Sequence, residues 1–146
     1  MPGFVRERWH ADFVVNHGTV MRPAECPGLV ARLDGERVGL LTYNVDAQGL
    51  EVVSLDSLRE GVGVGHALLD AAEAEARRQG CRRFWLVTTN DNLRALGLYQ
   101  RRGMRLVALR AGAMDEARRT LKPELVEIGN DGIPLRDELE LELQLD

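Results

Sequence analysis

The sequence predicts an α/β (α+β) fold, a mixed central sheet of about six to seven strands with helices packed on it. Three observations lead there. β-rich segments joined by turns fill residues 12–56, two long segments of helical periodicity follow, and a short apolar run suited to a strand stands after each helix. Strands that alternate with helices after an antiparallel start imply a sheet with both pairing directions. No repeat, linker or low-complexity segment divides the chain, so residues 1–146 are expected to form one domain. A hydrophobic share of 45% suffices to fill its core.

Val5-Arg6-Glu7-Arg8-Trp9-His10 reads as a short helix or an extended lead-in. Asp12-Phe13-Val14-Val15 and Thr19-Val20-Met21 are β-rich and break at Asn16-His17-Gly18, a turn. Pro23 and Pro27 bracket a loop. Residues 29–32 and 38–43 flank Asp34-Gly35, the strongest hairpin signal, because Asp-Gly suits the positive φ of a two-residue turn. Asp46-Ala47-Gln48-Gly49 then turns the chain into a strand over residues 51–56.

From Gly63 to Gln79, Val64, Ala67, Leu68, Ala71, Ala72 and Ala76 recur at helical spacing, with Glu73, Glu75, Arg77 and Arg78 toward solvent and Gly80 as the stop. The apolar run 84–89 suits a strand buried on both faces. Asn90 or Asp91 can cap a helix over about Asn92 to Arg102 that ends at Gly103, and 104–109 is again a strand. Residues 113–119 read as a helix and Pro123 to Pro134 as a long loop. Residues 138–145 alternate strictly, so their leucines are expected to face a core and their acids water.

Composition narrows the function classes. No run reaches the length of a membrane span and the first residues lack the regions of a signal peptide, so the chain is expected in the cytoplasm. A net charge of −4 disfavours nonspecific nucleic-acid or anionic-membrane binding and is compatible with a cationic substrate. Cys26 and Cys81 stand far apart with no Cys-x-x-Cys or clustered histidines, so neither metal nor disulfide is indicated, and buried thiols are expected.

The functional signal is Arg59-Glu60-Gly61-Val62-Gly63-Val64-Gly65-His66-Ala67-Leu68-Leu69, where three alternate glycines run into the long helix. Glycine tolerates positive φ and lets a ligand approach the main chain. The first N–H groups of a helix lack internal partners, and its dipole puts partial positive charge there. Together these features make a nest for a phosphate or pyrophosphate. A P-loop needs Gly-Lys-Ser/Thr, whereas His66-Ala67 follows Gly65; a dinucleotide fingerprint from Gly61 needs its third glycine where His66 stands. Both fit poorly. A tight strand-to-helix turn that binds nothing is the competing reading.

Gly61-Val62-Gly63-Val64-Gly65-His66-Ala67-Leu68-Leu69 together with Asn92-x-x-Ala95-x-x-Leu98-Tyr99-x-x-x-Gly103-Met104 resembles the GNAT superfamily of acyl-CoA-dependent N-acyltransferases, over roughly residues 50 to 109. The stretch 132–140 is similar to tails of uncharacterised prokaryotic members. The resemblance implies an N-acetyltransferase that moves acetyl from acetyl-CoA, its co-substrate, to a primary amine of a small molecule, peptide or protein by direct attack on the thioester, without a metal. It implies that backbone donors of Gly61, Val62, Gly63, Val64, Gly65 and His66 grip the pyrophosphate. Main-chain groups from Val53 to Leu55 would pair with the pantetheine arm, where the sheet splays between the strands ending at Asp56 and Thr89. An N–H near Leu55 would meet the charge building on the thioester oxygen. Asn92 would hold the pantetheine, or only cap its helix. Glu60 departs from the Arg or Gln usual in the family; a pyrophosphate repels it, so its side chain is expected to turn outward.

An amine at its reference pKa lies about three units above neutrality, so exposing its lone pair costs roughly 4 kcal/mol and calls for a base or a water relay. The resemblance puts such a carboxylate on the strand before the glycine turn, Glu51 first and Asp56 second. Glu51 could equally be a solvated strand residue, and Asp56 a capping or turn residue before Ser57. The expelled thiolate, with a pKa of about 8.5, could take a proton or a hydrogen bond from Tyr99, near 10. A core tyrosine at helical spacing from Ala95 and Leu98 is the alternative. An acyl-CoA-binding or regulatory module with a degenerate reaction centre is the rival for the whole chain, and another nucleotide-binding fold the third reading. Acceptor residues are expected around Asn16 to Met21 and Gly129 to Arg136. A homodimer would follow if the alternating last strand paired across subunits; it could also close its own sheet.

Overall fold

The computed structural model describes residues 14–58 and 63–145; the lead-in over 5–10, with Asp12, Phe13, Arg59, Glu60, Gly61 and Val62, lies outside the described residues. In chain order the elements are β1 (Val14–Asn16), β2 (Thr19–Met21), β3 (Gly28–Leu33), β4 (Glu36–Asp46), β5 (Gly49–Ser57), α1 (Val64–Arg78), β6 (Arg83–Thr89), α2 (Leu93–Arg101), β7 (Arg105–Arg110), α3 (Ala113–Arg119) and β8 (Glu138–Gln144). β1 and β2 form a hairpin, and the other six strands form a mixed sheet in the order β3-β4-β5-β6-β8-β7. The fold class is the one the sequence predicts. The chain packs as two compact units, one built on Arg22–Phe84 and one on Val15–Met21 with Trp85–Leu143.

In the first unit β3, β4 and β5 pair antiparallel, and Asp34 and Gly35 take the positive φ values of 52° and 83° that the β3–β4 hairpin turn requires. Helix α1 lies on these strands because Gly39 has no side chain; a Cβ there would stand 2.5 Å from Val64 Cγ1. The buried row of α1 is Val64, Leu68, Ala72 and Ala76 with Leu69 beside it, while Ala67 and Ala71, expected inside, are exposed. Residues four apart stack on one stripe, and a position one earlier is rotated by about 100° away from it. Cys26 and Cys81 are half-buried, not buried as expected.

In the second unit His17 (φ 44°) and Gly18 (φ 75°) make the β1–β2 turn. Strand β8 runs between β6 and β7, antiparallel to β7, so it is an interior strand and not the free edge that pairing across subunits would need. Its acids do not face water as expected: Glu138 and Glu140 are 2% and 8% exposed. The reason is Arg110 on β7, opposite Glu138 in register, whose guanidinium donates to Glu138 Oε1 at 2.9 Å and to Glu140 Oε1. Burying two carboxylates costs several kcal/mol each unless a cation and donors meet them. The strand at this edge of the sheet is β7, where Val107 bulges out of the pairing between Leu106–Leu141 and Ala108–Glu140.

Candidate active site

The described part of the glycine turn is the entry to α1. Gly63, at φ 76° and ψ 17°, is left-handed, and a Cβ there would meet no described residue within 4 Å. The first intrahelical bond runs from the Ala67 N–H to the Gly63 carbonyl at 3.0 Å, which places the N–H groups of Val64, Gly65 and His66 ahead of the helical ladder. No acidic residue stands in this first turn, and Gly63 supplies no side-chain cap. The Val64 side chain is buried at 6% exposure, so only its main chain can face a ligand, whereas His66 is exposed. The described part of the turn thus has a backbone and a helix dipole that suit an anion.

Strand β5 holds both candidate bases, and a bulge decides how they lie. Thr42 pairs with Ser54 and the next residue, Tyr43, pairs with Val52, leaving Val53 as an extra residue. Gly39 abuts Val64 and Leu68, and Tyr43 feels the charges of Glu75 and Arg78, so Gly39, Leu41 and Tyr43 mark the face of the sheet covered by α1. Their partners Ser57, Leu55 and Val52 share that face; Asp56, Ser54 and Glu51 take the other. Without the bulge, Glu51 and Asp56, five residues apart, would alternate onto opposite faces. On their common face the Thr42 and Ser54 hydroxyls are hydrogen-bonded at 2.5 Å.

Glu51 is 3% exposed, which overturns its reading as a solvated residue. The Cys26 thiol is pushed up by burial, then by the carboxylates of Glu25 and Glu51. Asp56 is half-buried and lies inside β5, not in a turn before Ser57. Val53 is buried and Leu55 half-buried.

Asn92 and Tyr99 belong to the second unit. Asn92 stands at the start of α2 without capping it; its side-chain amide donates to Thr88 Oγ1 at 3.2 Å. Asn90 and Asp91 do not cap the helix either. Asn90 Oδ1 accepts from the N–H groups of Arg136 (3.1 Å) and Asp137 (3.0 Å), and its amide donates to the Pro134 carbonyl. Asp91, 6% exposed, accepts from Thr89 Oγ1 and from the Asn130 N–H at 2.9 Å. Gly129 makes that approach possible, since a Cβ there would lie 2.1 Å from the Asp91 carboxylate.

The stretch expected as a long loop is therefore tied down at the end of β6. Arg118 secures it again, donating to the carbonyls of Leu125, Val126 and Leu135. In the sequence Asn90 and Asp91 read as candidate helix caps, and nothing in it names their partners some forty residues on.

Tyr99 is 7% exposed, and burial pushes its phenol up to about 12. It therefore stays protonated at neutral pH, a hydrogen-bond donor and a weak acid. No group of three or more His, Cys, Asp or Glu among the described residues could hold a metal ion, and no helix among them is long and apolar enough to cross a membrane.

The model of the acetyltransferase (GNAT) family matches residues 3–104. The chain belongs to this family. It is 39% identical over 137 residues to the uncharacterised protein YdhI of Bacillus subtilis (strain 168), covering 93% of this chain and 85% of that one. Among solved structures, a Bacillus subtilis acetyltransferase in complex with CoA matches with a TM-score of 0.72 at 22% identity, over 99% of this chain and 84% of the other. A GNAT family acetyltransferase from Elizabethkingia anophelis with acetyl-CoA bound gives a TM-score of 0.70 at 21% identity, over 80% and 74%. These likenesses establish the GNAT fold.

Proposed function

We propose that this GNAT chain transfers an acetyl group from acetyl-CoA to a primary amine by direct attack on the thioester. The observation that carries the reading is the entry to α1: a left-handed Gly63 where a Cβ would meet no described residue within 4 Å, and a first helical turn without an acid, in a chain of the GNAT family. Backbone donors of Gly61 to His66 hold the pyrophosphate, and the main chain of Val53 to Leu55 takes the pantetheine arm. The bulge at Val53 supports this, because bulges re-aim backbone groups beside active sites. A backbone N–H near Leu55 meets the negative charge that builds on the thioester oxygen. Asn92 positions the pantetheine.

Glu51 is the base of first choice and Asp56 the second. Both lie on one face of β5, so either can take the ammonium proton directly or through a water. Tyr99 acts on the departing sulfur. With its phenol at about 12, full transfer of its proton to a thiolate near 8.5 is uphill by roughly 5 kcal/mol, so Tyr99 stabilises the leaving group by a hydrogen bond. That same weak acidity favours one rival, an acyl-CoA-binding module with a degenerate reaction centre.

Thiol release from acetyl-CoA across a panel of primary amines separates the two. Transfer is expected with at least one amine, and saturable cofactor binding without release would establish the rival. In the transferase, Glu51→Gln is expected to lower kcat by about 100-fold or more with acetyl-CoA affinity unchanged; an Asp56→Asn variant with the larger loss would reverse the assignment.

A further inference from the structure

A base that takes a proton from each acceptor must pass it on before the next turnover. Glu51, 3% exposed, has little contact with water through which to do so. Within the first unit, the face of β5 that carries Glu51 offers a way out. Along that face Glu51 is followed by Ser54, level with Thr42 on β4, and then by Asp56, which is half-buried. Thr42 and Ser54 are 1% and 7% exposed. Same-face neighbours on a strand stand about 7 Å apart, a gap that their side chains and one water close.

Each hydroxyl has one proton to donate and two lone pairs with which to accept. The Thr42 and Ser54 hydroxyls bond to each other, and among the described residues neither has another side-chain partner. In that bond one hydroxyl donates, so the other keeps its own proton to give and the donor keeps its lone pairs. Valine and alanine would fill the same space without the cost of burying polar groups. A donor left over at one end of the pair and an acceptor at the other, in a row between two carboxylates, is the arrangement of a proton relay.

We propose that Thr42 and Ser54 are positioning residues whose hydroxyls join Glu51 to Asp56 in one proton relay. An ammonium N–H breaks and a Glu51 O–H forms. That proton then moves to the nearer hydroxyl oxygen as each hydroxyl hands its own proton onward, directly or through a water, and Asp56 receives the last one and gives it to solvent. One proton enters, one leaves, and both hydroxyls are restored when their O–H bonds turn back. The relay rests on the acetyl-transfer reading above, and it gives both carboxylates a part in a single step.

The test is steady-state turnover of acetyl-CoA with an amine accepted in the panel above, for Thr42→Val, Ser54→Ala, Asp56→Asn and the double variant Thr42→Val with Asp56→Asn. Each single variant is expected to lower kcat about 10-fold with KM for acetyl-CoA unchanged. One break stops the whole path, so the double variant is expected to lose no more than its components, where independent roles would multiply to about 100-fold. Thr42→Ser keeps a hydroxyl and is expected to turn over within about 2-fold of the parent.

Parent kcat in Thr42→Val or in Ser54→Ala, losses that multiply in the double variant, or a fall in Thr42→Ser as large as in Thr42→Val would each overturn the relay and leave the transferase standing. No transfer by the parent to any amine would instead sink the transferase reading, and the relay with it.

Discussion

Helices α1 and α3 are both entered through a left-handed glycine, Gly63 at φ 76° and Gly112 at φ 74°, and neither glycine supplies a side-chain cap. Their first turns then differ. At α3 the Asp137 carboxylate accepts the Gly112 N–H at 2.9 Å, the Arg136 carbonyl accepts the Met114 N–H at 2.8 Å, and Asp115 and Glu116 lie in the first turn. At α1, Gly65 and His66 stand where α3 has Met114 and Asp115, and the first turn has no acid. One backbone entry thus serves two ends. Where the chain supplies its own anion, the helix start is part of the fold. At α1 no described residue of the first turn supplies an acid, and under the proposed function the same geometry takes an anion from outside.

Making α1 resemble α3 is the strongest way to break that contrast. His66→Asp puts a carboxylate in the first turn at the place of Asp115, and repulsion of a pyrophosphate at a few ångströms is expected to weaken CoA binding by about 100-fold in a calorimetric titration. The same carboxylate favours the helix dipole by about 0.3–1 kcal/mol, so the melting temperature is expected to hold or rise. Loss of both affinity and stability would mean only that the turn had been damaged.

Helix α2 sharpens the contrast, because it is entered at Asn92 without a glycine and carries a buried titrating group. Tyr99 is raised to about 12 by burial, while in the unfolded chain it titrates near 10. Below pH 10 both states keep the proton and the group has no effect. From pH 10 to 12 the unfolded chain releases it and the native state does not, so stability falls by roughly 2 kcal/mol in all. Urea unfolding of Tyr99→Phe is expected to lack this alkaline loss; a variant with the same pH slope as the parent would show the phenol to be wet.

The smallest expected effect is at α3 itself. Asp137→Ala removes the carboxylate beside Gly112 and is expected to cost about 1 kcal/mol, a fall of about 3 °C in Tm, with CoA affinity unchanged.

Much of this layout was legible in the residues. Asp34-Gly35 and His17-Gly18 mark their hairpins because only certain residues tolerate positive φ, and the apolar run 84–89 marks a covered strand. What escaped is what depends on partners distant in sequence. The alternation in β8 suggested acids in water, but Arg110 on a neighbouring strand lets Glu138 and Glu140 be buried. The bulge at Val53 leaves no mark in composition, yet it alone puts Glu51 on the face of Asp56. Asn90 and Asp91 have the side chains of helix caps, but they bind the stretch from 130 to 137 instead. Family resemblance named Tyr99, but not the burial that makes it a donor of hydrogen bonds and a poor acid.

The claim beneath the whole account is that the entry to α1 grips a diphosphate, and comparing dephospho-coenzyme A with pantetheine tests it directly, since the diphosphate and the nucleoside distinguish the two while the thiol arm is common. The nucleoside alone, adenosine, serves as the control. Dephospho-coenzyme A is expected to bind at least about 100-fold tighter than pantetheine, with adenosine weak and with His66→Asp erasing most of the gap. Equal affinity for dephospho-coenzyme A and pantetheine, or a gap untouched by His66→Asp, would contradict it.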